Sequence, residues 1–280
     1  MEIFTTGKEL VDYLDAKRSS GKKVGFVPTM GALHDGHLSL IREAQERAEI
    51  VVASIFVNPT QFNDPKDLEK YPRPKERDIE KLEAAGCDIL FMPEVSEMYS
   101  PDEEEWFIDL HGLDQVLEGS LRSGHYQGVT QIVKKLFDVV QPDFAFFGQK
   151  DYQQFLVVNE LVKQFAMKTQ LVMCPIVREH DGLAMSSRNV HLSQKEHKDA
   201  LIISKVLFET KASFDIKEID DLKRSAESKL RAQEGLELQY FEICDGKTLT
   251  PIHDKNSSSI VALVAAKVGQ TRLIDNIILK

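Results

Sequence analysis

Up to residue 177, short apolar runs alternate with amphipathic stretches, and no other feature constrains the fold as tightly. The runs are VGFV (24–27), IVVASIFV (50–57), CDILFMP (87–93), FAFFG (144–148) and QLVMCPIV (170–177). They do not alternate apolar with polar residues, as expected of strands covered on both faces. Helical patterns lie between them at 38–48, 75–85, 129–140 and 151–165. Within 128–140, Val129, Ile132, Val133, Leu136, Phe137 and Val140 mark one face at helical spacing. Strands and helices alternating at these lengths predict an α/β domain, a Rossmann-like doubly wound parallel sheet. Ligands of such sheets bind beyond the carboxyl ends of the strands.

The pattern changes after residue 178. Two helical runs (194–211 and 217–234) precede three strand-like runs, LELQYFEICD, SSIVALVAAKV and TRLIDNIIL, with DGKT and KVGQT as the joining turns. Sequential strands joined by turns predict an antiparallel sheet. The expected organisation is a nucleotide- and substrate-binding domain over 1–177 and a smaller α+β lid domain over 178–280.

A formal net charge of −10 argues against a nucleic-acid binder, which needs a basic face, although a local basic pocket stays compatible with it. Cys87, Cys174 and Cys244 are widely spaced, form no CxxC pair and sit in or beside apolar runs. They read as buried structural thiols of a reducing compartment. No stretch approaches membrane-spanning length and the N-terminus lacks a leader pattern, so a cytoplasmic protein is expected.

Chemistry-bearing residues cluster where the predicted strands end. The first strand runs into PTMGALHDGH, with His34 and His37 at the start of a helix. Unpartnered backbone N–H groups there favour anions. The two histidines suit phosphate contact, with metal ligation and plain surface placement as alternatives. Gly31 and Gly36 let the backbone approach a ligand closely. After FAFFG come Lys150, which can neutralise phosphate, and Asp151, which can cap the next helix, hold ribose or hold Mg²⁺ through water. Gln153 and Gln154 follow, and a glutamine near an anionic site suits a small polar substrate. The loop FVNPTQF offers Asn58 and Gln61, or is plain surface. GLAMSSRN (182–189) carries Ser186, Ser187 and Arg188, read as a mobile triphosphate loop or as a capping pair in a linker. Arg122 and His125 precede a helix, facing either an anion or solvent.

Taken together, PTMGALHDGH, IFVNPTQF, GHYQGV, QPDFAFFGQKDYQQ and VREHDGLAMSSRN resemble the pantothenate synthetase family, in order and spacing, from residue 28 to residue 189. HxGH alone would indicate only the nucleotidylyltransferase superfamily; the glutamine-bearing motifs narrow it. The resemblance implies ATP-dependent condensation of pantoate with β-alanine to pantothenate, AMP and pyrophosphate, through an enzyme-bound pantoyl adenylate. It implies ATP contacts from Met30, Gly31, Ala32, Leu33, His34, Asp35, Gly36, His37, Gly148, Gln149, Lys150, Asp151, Val177, Met185, Ser186, Ser187 and Arg188. It makes His37, His34, Lys150 and Arg188 catalytic, with His37 in the position of proton donor. Asn58, Gln61 and Gln154 would meet pantoate or β-alanine. It further implies Mg²⁺ carried by the triphosphate with no dedicated protein metal site, and a homodimer.

Two positions depart from the family pattern: Ser123, where Pro is common, and Gln131, where Thr is usual. Neither is assigned to chemistry. A related nucleotidylyltransferase would carry several Arg or Lys residues in its acceptor pocket, whereas Asn58, Gln61 and Gln154 suit a small hydroxy acid. An aminoacyl-tRNA synthetase fits poorly with a short acidic chain. A nucleotide sensor need not keep His34, His37, Lys150 and Arg188 together.

Overall fold

In the computed structural model the chain divides into two compact units, Met1–Gly148 with Gln153–Cys174, and Gln149–Tyr152 with Pro175–Lys280. The structure describes every residue except Asp64, and every side chain except those of Asp64 and Asp67. The sequence pattern puts the division at 177/178. The compact units part after Cys174, and four residues following FAFFG group with the C-terminal unit.

The first unit begins with β1 (Glu2–Phe4), α1 (Gly7–Arg18), β2 (Val24–Thr29), α2 (Asp35–Gln45) and β3 (Ile50–Ile55). It continues through α3 (Pro65–Lys70), α4 (Lys75–Ala84), β4 (Ile89–Phe91), α5 (Val95–Met98), α6 (Leu117–Leu121) and α7 (His125–Val140). β5 (Phe144–Gly148), α8 (Tyr152–Gln164) and β6 (Gln170–Cys174) complete the run. The strands form one parallel sheet in the order β1-β4-β3-β2-β5-β6. The edge strand β1 is absent from the sequence expectation: it is three residues long and largely exposed, too short for a pattern to show.

The winding reverses between β2 and β5, which makes their carboxyl ends the switch point. β2 pairs with β3 from Val24 to Thr29 but with β5 only at Gly25 and Phe26. The β5 ladder has therefore ended before Pro28, which has no N–H to give it. Val24, Phe26, Val27, Ala145 and Phe146 are completely buried, as expected for strands covered on both faces. Phe26 meets Phe137 of α7 edge to face, with ring centroids 6.1 Å apart.

The second unit holds α9 (Gln194–Ser213), α10 (Ile219–Ala232) and an antiparallel sheet of β7 (Leu236–Asp245), β8 (Ile260–Val268) and β9 (Thr271–Ile278). Ser193 and Glu196 cap α9 reciprocally: Ser193 N–H donates to Glu196 Oε2 at 2.8 Å and Glu196 N–H to Ser193 Oγ at 3.3 Å. Only KVGQT joins strands directly, turning at Gly269 between β8 and β9. DGKT makes a turn around the Asp245 carboxylate, but a longer connection, residues 246–259, returns the chain to β8. Among the described residues, no helix is long and apolar enough to cross a membrane.

All three cysteines are buried and free. Burial pushes the Cys87 thiol up to about 11 and those of Cys174 and Cys244 up to about 12. They are protonated at neutral pH and inert. The native protein is accordingly expected to leave Ellman's reagent unreacted and to titrate three thiols once unfolded; a fast-reacting thiol in the folded state would contradict the packing. Truncating Phe146 to Ala, in the middle of the first core, should cost about 3–5 kcal/mol in urea unfolding. A loss below about 1 kcal/mol would mean that β5 is not held by that core.

Candidate active site

In the first unit the loop after β2 turns through two successive left-handed residues, Gly31 (φ 80°) and Ala32 (φ 51°). For alanine that conformation is strained, by roughly 1–2 kcal/mol. A buried carboxylate holds it: Asp78 of α4, 1% exposed, accepts Ala32 N–H at 2.7 Å and Leu33 N–H at 2.8 Å. A Cβ on Gly31 would lie 2.9 Å from Asp78 Oδ2 and 3.1 Å from Ile55 Cγ2, so this position has no room for a side chain. One turn further along α4, Lys81 Nζ donates to Leu33 O. Gly31 N–H donates to Thr29 Oγ1, which itself donates to Ser54 O.

The helix expected from residue 38 starts three residues earlier, so the histidines belong to its first turn. His34 is the N-cap and His37 the third helical residue. His34 N–H donates to His37 Nδ1 at 3.3 Å, and the rings lie 4.1 Å apart between centroids. With Nδ1 accepting, neutral His37 carries its proton on Nε2. Both imidazoles are partly exposed beside first-turn amides that lack intrahelical partners.

Gln61 ends a short 3-10 turn, Pro59–Gln61, in the same unit. Its amide accepts from Asn58 Nδ2 at 3.1 Å and donates to Met30 Sδ at 3.1 Å. Asn58 is 1% exposed. Its Nδ2 also donates to Gly128 O, and its Oδ1 accepts from Tyr99 OH at 2.6 Å and from Thr60. These bonds engage both ends of the Asn58 amide inside the protein and fix the place of Gln61. Gly128 lets α7 approach the turn, since a Cβ there would lie 2.4 Å from Thr60 O.

His125, 6% exposed, joins the same network. Its Nε2 lies 3.0 Å from Arg122 Nη1 and its Nδ1 lies 2.8 Å from Gln61 O. A guanidinium only donates, so Nε2 accepts and Nδ1–H donates to Gln61 O. Arg122 is thereby tethered beside Gln61, and His125 is an internal strut. The two neighbouring glutamines also separate. Gln153 is 2% exposed and holds the Leu113–Glu118 loop through Leu113 O, Val116 O and Glu118 N–H. Gln154 is partly exposed. The departures are peripheral: Ser123 O accepts from Asn63, and Gln131 donates to Glu103.

The second unit carries the remaining candidates. Gln149–Asp151 form a 3-10 turn that runs into α8. Lys150 Nζ lies 3.8 Å from Asp151 Oδ1. Asp151 takes no backbone N–H among the described residues, so the expected N-cap role is not observed. Val177 O accepts Met185 N–H at 3.0 Å, and Arg178 bridges to Ala184, closing a tight turn before Ser186. Ser186 Oγ accepts Arg188 N–H at 3.3 Å and caps the 3-10 turn Ser187–His191, so the capping alternative holds for Ser186. Ser187 and Arg188 are partly exposed. His34 and His37 belong to no cluster with metal-ligand spacing; Glu179, Asp181 and His197 form one among the described residues.

The model of the pantoate-beta-alanine ligase family matches residues 2–278. The chain belongs to that family. It is 47% identical over 279 residues to the pantothenate synthetase of Bacteroides thetaiotaomicron, covering 99% of this chain and 98% of that protein. The crystal structure of pantothenate synthetase from Thermus thermophilus superposes with a TM-score of 0.94 at 40% identity, covering 100% and 99% of the two chains. The pantoate-beta-alanine ligase of Francisella tularensis, solved with beta-gamma ATP and beta-alanine, matches with a TM-score of 0.80 at 34% identity over 100% and 98%.

Asp78 was missed from sequence, although a signal existed. It lies four residues before Leu82, on the buried side of α4, where a carboxylate is out of place unless it has donors to meet. Asp78→Ala is expected to leave two loop amides without an acceptor. ATP KM should rise at least about 10-fold and stability should fall by about 1–3 kcal/mol. An unchanged KM with a lowered Tm would mean that the carboxylate serves packing alone.

Proposed function

We propose that His34, His37, Lys150 and Arg188 act on the phosphates of ATP while Gln61 and Gln154 hold pantoate, and later β-alanine at Gln61. The enzyme joins pantoate to β-alanine at the expense of ATP, giving pantothenate, AMP and pyrophosphate. The observation that carries the reading is that His34 and His37 sit side by side in the first turn of a helix, with His37 Nδ1 accepting from His34 N–H.

In the first step a pantoate carboxylate oxygen attacks the α-phosphorus, and the bond to the pyrophosphate oxygen breaks. Charge grows on that leaving oxygen. A donor from His37 Nε2, first-turn amides of α2 and the cations of Lys150 and Arg188 stabilise it more in the transition state than in ATP. The amine of β-alanine then attacks the acyl carbon, AMP leaves, and the nitrogen gives up a proton. Met30 to His37 would wrap the nucleotide. Gly148 to Asp151, Val177 and Met185 to Arg188 would complete the ATP contacts. Mg²⁺ enters with the triphosphate as part of the substrate.

The C-terminal unit is assigned the part of lid, excluding water from the acyl adenylate. A cytoplasmic homodimer completes the proposal. Three free buried thiols suit a reducing compartment, and light scattering checks the mass.

Labelled pyrophosphate should exchange into ATP with pantoate present and β-alanine absent. Exchange that requires β-alanine would rule out a separate adenylate. His37→Ala should lower that exchange roughly 100- to 1,000-fold while cooperative unfolding is retained. Activity equal to the parent would remove His37 from the mechanism.

A further inference from the structure

The strand β9 is apolar except for an adjacent pair in its second half, Asp275 and Asn276, which are 4% and 2% exposed, and for Thr271 and Arg272 at its start. Burying two polar side chains side by side is unfavourable unless their hydrogen bonds are met. Each is met by a loop that carries candidate phosphate contacts. Asn276 Nδ2 donates to Gln149 O and to Lys150 O, both at 2.9 Å, while its Oδ1 accepts from Gln149 Nε2 at 3.1 Å. Asp275 takes Arg178 as a two-pronged pair, at 2.6 and 3.0 Å. The same guanidinium donates to Gly182 O at 3.1 Å, inside the turn that leads to Ser186.

Lys150 follows β5 in the chain yet is anchored to the C-terminal unit. The Asn276 amide grips its carbonyl and that of Gln149, and Tyr152 OH donates to Gly246 O at 2.9 Å just beyond. A 3-10 turn of three residues has little hydrogen bonding of its own to fix where a long side chain starts. Here an amide on a rigid strand supplies that fixation at the lysine's own carbonyl.

We propose that Asn276 is a positioning residue for Lys150, fixing the backbone from which the ammonium reaches phosphate. The inference rests on the assignment of Lys150 to the phosphates. Asn276 reaches the chemistry only through that lysine. Its removal therefore affects the adenylation step and leaves pantoate recognition, which is assigned to the first unit, unchanged.

The test is pantoate-dependent pyrophosphate exchange in the full-length enzyme, with Asn276→Ala, Lys150→Ala and the double variant. Asn276→Ala is expected to lower kcat for exchange roughly 10- to 100-fold, the scale of a misplaced catalytic group. The KM for pantoate should move less than about 3-fold and, in the Lys150→Ala background, the same substitution should change kcat less than about 2-fold. Should the alanine variant fail to fold, Asn276→Asp keeps the volume, removes both donors and is expected to show the same loss of effect without the lysine. Equal losses with and without Lys150 would overturn the inference while leaving the lysine's role standing. A Lys150→Ala enzyme that exchanges at the parent rate would overturn the phosphate assignment, and the inference with it.

Discussion

The loop between β2 and α2 depends on one buried carboxylate. Asp78 offers two oxygens to two successive amides, and those amides belong to a stretch that no sequence of L-residues adopts without strain. The strain and the grip explain each other. A left-handed alanine persists only where its surroundings over-determine it, and the carboxylate, Lys81 on Leu33 O and the missing Cβ of Gly31 do so. The loop then delivers His34 to the N-cap of α2, which fixes His37 one turn in.

The same economy runs through the other candidates. Buried amides hold the groups assigned to ligands: Asn58 holds Gln61, and Asn276 holds Gln149 and Lys150. Gln153 secures a loop while its neighbour Gln154 is left partly exposed. Side chains that touch ligands must be reachable, and reachable side chains lose their geometry unless something buried restrains them. In both units the restraining residue is hydrogen-bonded within the protein, so its removal would leave donors or acceptors buried and unmet.

Much of the architecture was legible in the sequence because its signals are periodic. Runs such as IVVASIFV and LELQYFEICD mark strands by composition and bounds alone, and β7 matches its run residue for residue. The His34–His37 pair, Gln61 and Lys150 were legible as candidates because chemistry-bearing residue types follow strand ends. The supporting residues were not. Asp78 looks like one more acidic residue in the first turn of a surface helix, and only the buried stripe it shares with Leu82 distinguishes it. The part Asn58 plays in holding Gln61 was not legible either, because residue type cannot show how far an amide is hydrogen-bonded inside the protein. The three-residue β1 and the long return from β7 to β8 escape because local turn chemistry does not report which strand comes next.

The arrangement also says what kind of catalysis this chain can supply. Its thiols are buried and held protonated well above neutral pH, so no cysteine serves as a nucleophile. The residues assigned to the phosphates are donors and cations: a histidine whose Nδ1 accepts a backbone N–H, a helix start, a lysine and an arginine. Such groups form no bond to substrate. They lower the energy of a leaving pyrophosphate in proportion to how little they must reorganise when charge arrives. Under that assignment rigidity is what matters, and polar residues as deeply buried as Asp78 and Asn276 supply it to loops whose candidate side chains are themselves partly exposed.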